Sequence, residues 1–278
     1  METIGLMTDW GRDDGAFGAV QGVIWGINPK VKIADMSQNV ESWDIKQGAF
    51  LLMAHYQTYP KGTIFVVVID PGVGTKRKAI VVETSSGYYF VGPDNGVLSW
   101  ALRKEKINRV VNVTNRKYFL EPVSAVFEGR DIFCPVAAYL SKGVSPTKFG
   151  ELIDPSDIVW AEYPLKEEGN QLIGEVLFID KFGNLITSIE KEKVRKVIGE
   201  TSTGVYFTGR KRIRPFKIRI KDVEIKGFKH TYADGKEGEA IALFGGDFGD
   251  LLDIAVCEES AAEKLGVSIG DKIIIERR

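Results

Sequence analysis

Short apolar runs alternate with stretches of helical spacing through the first half of the chain. Residues 4–7 are apolar, and residues 15–27 then carry Phe17, Val20, Val23 and Ile24 along one helix face. A second strand is predicted over 31–34 and a second helix over 45–56. Residues 64–69 form an unbroken, mostly β-branched run, the pattern of a strand buried on both faces. Residues 79–82 and 88–91 read as a hairpin turning at Ser85-Ser86-Gly87. A short helix at Trp100 and Leu102, a strand at 110–113 and a helix over 133–140 complete an α/β domain with a mainly parallel sheet, assigned to residues 1–160.

Beyond residue 150 the pattern changes. Pro155, Pro164 and the polar stretch 166–170 mark a linker. Short strands follow at 175–179, 185–188, 205–207, 218–220, 239–243 and 252–256, with one brief helix at 260–265 and a last strand at 272–275. Frequent turns and little helix predict a smaller all-β domain, a barrel or sandwich, over 171–278.

Composition narrows the function classes. With 37 Lys and Arg against 38 Asp and Glu, the chain has no basic footprint for nucleic acid or an anionic membrane. Nor does any apolar run reach the ~20 residues of a membrane span. The first residues lack the pattern of a signal peptide. Cys134 and Cys257 stand far apart, which fits two core thiols in a reducing cytoplasm. His55 and His230, the two histidines, have no metal-ligand partner at useful spacing, so no resident metal is expected.

Four polar segments could carry chemistry. Asp9, in Thr8-Asp9-Trp10, follows the first strand, where α/β sheets bind ligands and a carboxylate can accept from ribose hydroxyls. Asp13 and Asp14 read more simply as helix caps, and three nearby aspartates only weakly suggest a divalent cation. Asp70 ends the apolar strand in Asp70-Pro71-Gly72-Val73-Gly74, and Arg77 is close enough to fold back onto it. Phe127-Glu128-Gly129-Arg130-Asp131 precedes a helix, with a glycine permitting close backbone approach; an ordinary capped loop reads equally from these letters. Asp180-Lys181-Phe182-Gly183-Asn184 reads by itself as a β-turn. Residue types alone therefore reach a nucleoside- or sugar-binding α/β enzyme and stop there.

In order, the runs TDWGRDDGAFGAVQGVI, IDPGVGTKR, GPDNGVLSWAL, FEGRDIFCPVAAYL and DKFGNLITSI resemble the S-adenosyl-methionine hydroxide adenosyltransferases, relatives of the bacterial fluorinase and chlorinase. The resemblance covers nearly all of the N-terminal domain and the start of the second. It implies water attack at ribose C5′ of S-adenosyl-L-methionine, giving adenosine and methionine with no cofactor besides the substrate. It further implies a homotrimer whose sites lie between neighbouring subunits.

By resemblance, Asp9 matches the residue that holds the ribose hydroxyls, and Trp43 an aromatic beside the ribose and sulfonium. Phe127 walls the adenosyl pocket, with Gly129 beside it; Asp180 takes the methionine ammonium, and Phe182 and Asn184 contact adenine. Asp70 and Arg77 match two members of an Asp–Arg–His set in the water-using branch. A carboxylate beside the nucleophile orients water and repels halide. The third member should be histidine, and here Glu128 stands in its place. Glu128 is expected to share water positioning with Asp70 while Arg77 neutralises part of the charge. The alternatives are a non-catalytic adenosyl-ligand binder or a relative using another nucleophile such as chloride. Residues 244–255 depart from the family in spacing and carry extra acids, so no role is transferred there.

Overall fold

The computed structural model describes residues 3–198 and 216–277 and divides into an N-terminal unit, residues 1–161, and a C-terminal unit, residues 162–278. The N-terminal unit opens with β1 (Thr3–Thr8), α1 (Ala16–Ile27), β2 (Lys32–Ser37), α2 (Ile45–His55) and β3 (Ile64–Val68). β4 (Ala79–Thr84), β5 (Tyr89–Pro93), α3 (Ser99–Leu102), β6 (Ile107–Val113), α4 (Cys134–Ser141) and β7 (Gly150–Ile153) follow.

The sheet order is β2-β1-β3-β5-β4-β6-β7. The unbroken apolar run of β3 has the predicted consequence. Ile64, Val66 and Val68 face the core shared with Val20, Ile24 and Val136, whereas Phe65 and Val67 face a second core containing Leu52 and Leu102. Helices α1 and α4 thus cover one face, and α2 and α3 the other.

The sheet is mixed rather than mainly parallel. β2-β1, β1-β3 and β3-β5 pair parallel, but β5-β4, β4-β6 and β6-β7 pair antiparallel. The predicted hairpin is present, and it is the cause: its first strand β4 lies between β5 and β6. Parallel neighbours need crossover connections, and the short turn at residues 85–88 cannot provide one.

The C-terminal unit contains β8 (Leu165–Glu168), β9 (Gln171–Ile179), β10 (Leu185–Glu190), α5 (Lys191–Ile198), β11 (Phe216–Ile220), β12 (Val223–Ile225), β13 (Ala240–Phe244), β14 (Leu251–Val256), α6 (Ala261–Leu265) and β15 (Lys272–Arg277). All pairings among its described residues are antiparallel. β9 bridges two ladders: its first half pairs with β8 and β15, its second with β10. The polar stretch read as a linker is β8 and its turn into β9, an edge strand whose charges face water. The unit is not all-β, because α5 buries Val194 and Ile198 and exposes a charged face. Its apolar positions Val194, Val197 and Ile198 span little more than one turn, too short a pattern to announce it. The strand predicted at 205–207 lies outside the described residues.

Candidate active site

Two adjacent parallel strands create a candidate site in the N-terminal unit. Thr8 at the end of β1 lies in register with Val68 at the end of β3, so Asp9 and Asp70 leave the sheet side by side. Between them and the segment 126–129 lies a cavity of about 210 Å³, lined by Asp9, Trp43, Asp70, Phe127, Glu128 and Gly129. Trp10, Ser42, Val68, Val73 and Val126 complete its wall.

Asp70 is anchored by its own loop. Its Oδ1 accepts from the Gly72 amide at 3.2 Å. The chain turns through Gly74, whose φ of 75° suits glycine, and brings Arg77 back. Arg77 Nε donates to Asp70 Oδ1 and Oδ2 at 3.1 and 3.0 Å, and its Nη2 donates to Oδ2 at 2.5 Å. The same Nη2 donates to Glu128 Oε2. The guanidinium also lies 5.3 Å from the centroid of the Phe133 ring. Burial works against the Arg77 charge, but the two carboxylates outweigh it and hold the guanidinium firmly protonated. Glu128 therefore reaches the same cation as Asp70.

Asp9 Oδ2 accepts from the Trp43 amide at 2.9 Å. Trp43 has a φ of 67° and is 72% exposed, while the adjacent Asp44 caps α2 by accepting from the Gln47 amide. A bulky residue in left-handed backbone with a ring left in water is a costly arrangement of the kind found at ligand sites. Neither Asp13 nor Asp14 is the cap of α1: Gly15 takes the N-cap position with left-handed backbone, Asp14 accepts from the Ala16 amide at 2.9 Å, and Asp13 is exposed. Asp131 is buried and pairs with Arg130. Among the described residues, no three His, Cys, Asp or Glu side chains are placed to share a metal ion.

Gly129 lines this cavity and also abuts Trp10. A Cβ there would stand 2.4 Å from Trp10 Cη2, so the indole occupies the space a side chain would need. Trp10 in turn meets Phe127 edge-on at 5.2 Å. Gly129→Ala should cost roughly 1–3 kcal/mol by overpacking and push Trp10 into the cavity. Denaturant unfolding checks the first effect, and loss of ligand quenching of tryptophan fluorescence the second.

A second candidate site lies in the C-terminal unit. The turn between β9 and β10 is the β-turn its letters suggest: Asp180 Oδ1 accepts from the amides of Phe182 and Asn184 at 2.8 and 2.9 Å, and Oδ2 from Asn184 Nδ2 at 2.9 Å. Gly183 adopts φ 83°, and a Cβ there would meet Ser260 Oγ. The turn forms one wall of a cavity of about 1020 Å³ that also receives Tyr232, Asp247, Phe248 and Asp253. Sequence reading left these four unassigned. For Asp253 a signal existed, an acid in the apolar strand Leu251-Leu252-Asp253-Ile254-Ala255.

Burial first, then the charges of Asp180 and Asp247, push the Asp253 carboxyl up to about 7. Burial and the same acids raise the Tyr232 hydroxyl. Because the folded state raises this carboxyl above its ordinary 3.8, ionisation opposes folding. The penalty is absent below that value, grows between 3.8 and about 7, and is complete above. Asp253→Asn should therefore match the parent at pH 4 and exceed it by roughly 3 kcal/mol at pH 8, measured by urea unfolding.

Sequence profiles agree with this two-part construction. That of the SAM hydroxide adenosyltransferase N-terminal domain matches residues 4–150, and that of its C-terminal domain matches residues 174–274. The chain belongs to the SAM hydroxide adenosyltransferase family. An (R)-S-adenosyl-L-methionine hydrolase of Salinispora tropica is 32% identical over 97% of this chain and 96% of its own length. The enzyme of that name from Thermus thermophilus is 29% identical over 97% and 98%. A fluorinase of Nocardia brasiliensis is 24% identical over 86% and 85%. An uncharacterized conserved protein of Thermotoga maritima superimposes with a TM-score of 0.86 at 32% identity, covering 99% of this adenosyltransferase-family chain and all of its own. No helix among the described residues of this family member is long and apolar enough to cross a membrane.

Proposed function

We propose that this protein hydrolyses S-adenosyl-L-methionine by attack of water at ribose C5′, releasing adenosine and L-methionine. The observation that carries the reading is the Asp70–Arg77–Glu128 cluster at the mouth of the N-terminal cavity. The water oxygen forms a bond to C5′ while the C5′–S electron pair returns to sulfur, which leaves as neutral thioether. One water proton passes to a carboxylate, Asp70 or Glu128, and then to solvent. Arg77 holds both acceptors in place and limits their mutual repulsion. A halide gains nothing from two carboxylates, so water is the nucleophile they favour.

In this reading Asp9 accepts from the ribose hydroxyls, Trp43 and Phe127 enclose the adenosyl group, and Asp180, Phe182 and Asn184 serve the methionine and adenine ends, with Gly129 giving Trp10 its place in the wall. The likeness to named hydrolases over nearly the whole chain supports it. The reaction needs no metal and no cofactor besides its substrate. A homotrimer in the cytoplasm belongs to the same proposal, and sedimentation analysis of the purified protein checks the oligomer.

Incubation of chloride-free protein with S-adenosyl-methionine in heavy-oxygen water tests the reaction. Labelled adenosine with an equal amount of methionine is expected. Saturable binding with no product would replace the hydrolase by a binder, and a product that requires chloride would replace water as the nucleophile.

A further inference from the structure

The motif Gly92-Pro93-Asp94-Asn95-Gly96 lines neither cavity, yet the sheet places it against the water site. β5 ends at Pro93 between β3, which runs parallel to it, and β4, which runs antiparallel. The residues that follow β5 therefore lie beside the end of β3 and the start of β4. The loop joining those two ends, residues 69–78, has to cross the end of β5. That loop carries both Asp70 and Arg77.

Ile69 is fully buried and stands one residue past β3, whose last pairs are Thr8–Val68 and Val66–Val91. A buried carbonyl beyond the ladder needs a donor. Asn95 supplies it: its Nδ2 donates to Ile69 O at 2.9 Å. Asn95 Oδ1 accepts from the Val97 amide at 3.1 Å, so both ends of the side-chain amide are engaged and its orientation is fixed. At the other end of the loop the Asp94 amide donates to Lys78 O at 2.9 Å. Asp94 is itself buried, accepts from the Val159 amide at 2.8 Å and lies 3.9 Å from Lys78 Nζ. Two consecutive residues thus hold both ends of the loop, next to Asp70 and next to Arg77.

We propose that Asn95 is a positioning residue for the reaction, fixing the Ile69–Asp70 peptide and through it the Asp70 carboxylate against the attacking water. The proposal rests on the hydrolase reading and deepens it. Arg77 and the Gly72 amide orient the carboxylate end of Asp70, whereas the Asn95 side chain fixes the backbone from which it projects. A shift of about 1 Å at a reacting group can cost about 10²-fold in rate, so a bond one peptide away from Asp70 is close enough to matter. Aspartate cannot substitute, because its carboxylate would turn an acceptor, not a donor, toward Ile69 O.

The test places Asn95→Ala and the near-isosteric Asn95→Asp in the full chain, each in the wild-type and the Asp70→Asn background, with S-adenosyl-methionine as substrate. In the wild-type background each is expected to lower kcat by about 10- to 100-fold and to leave KM within about twofold. In the Asp70→Asn background the same changes should move kcat by less than about twofold, because a residue acting through Asp70 has nothing left to position. A merely structural role would give the same loss in both backgrounds. Equal losses, or a kcat within about twofold of wild type for both single variants, overturn the proposal. If the wild-type protein forms no adenosine, the hydrolase reading fails by itself. Amide hydrogen exchange then decides whether Asn95 holds the loop. Faster exchange confined to residues 69–78 in either variant upholds that role, and unchanged exchange there in both overturns it.

Discussion

Asp70→Ala should lower kcat for S-adenosyl-methionine hydrolysis by a factor of about 10² to 10⁴, the range expected for loss of a positioned proton acceptor. KM should change little, because Asp70 faces the water side of the reacting carbon in the proposed arrangement and not the adenosyl group. The alanine also removes the main partner of Arg77, leaving that guanidinium to Glu128 alone. Asp70→Asn separates the two consequences: it keeps the shape and one acceptor for Arg77 but cannot take a proton. If Asp70→Asn is as slow as Asp70→Ala, proton acceptance is the lost function. Single-turnover measurement of adenosine release distinguishes the chemical step from product release. Full activity in Asp70→Ala would place the water elsewhere.

The second large effect concerns folding. Arg77→Met should destabilise the protein by roughly 3–5 kcal/mol, the cost of leaving buried charges without their partner. Asp70, Arg77 and Glu128 side chains are only 5, 11 and 15% exposed, so solvent does little to screen the two carboxylates once the cation is gone. Methionine keeps much of the apolar contact with Phe133, which isolates the charge effect from packing. Adding Asp70→Asn and Glu128→Gln to Arg77→Met should recover most of the loss, because a triad replaced as a whole leaves no isolated charge. Chemical unfolding of the single and triple variants measures both numbers. A single variant within 1 kcal/mol of wild type would mean that water reaches the cluster freely.

Glu128 deserves its own comparison with histidine. A carboxylate here doubles the negative charge facing Arg77, whereas an imidazole would leave Asp70 as its only anionic partner among the three. Glu128→His is expected to keep or raise turnover, read from the initial rate of adenosine formation.

Much of this protein was legible in its letters. The β-branched run of β3, buried on both faces, could only be a central strand, and the five ordered motifs pointed to the family and to Asp9, Asp70, Arg77 and Glu128. Local rules suffice for such features, since periodicity and short-range turns are encoded within a few residues. The mixed sheet was not legible in that way. Strand order is set by which neighbours bury most surface, and the insertion of β4 between β5 and β6 joins residues far apart in sequence. The same holds for the chemistry. Arg77 could be expected to fold back onto Asp70 seven residues away, but its contact with Glu128, 51 residues on, exists only because the 126–129 segment crosses the ends of β1 and β3. Asp253 shows the limit most clearly. In the sequence it is an acid in an apolar strand, and only the alternation of β14 between core and cavity leaves its carboxylate buried, unpaired and facing other acids. Burial and electrostatic environment are properties of the assembled fold, which no local pattern of residues contains.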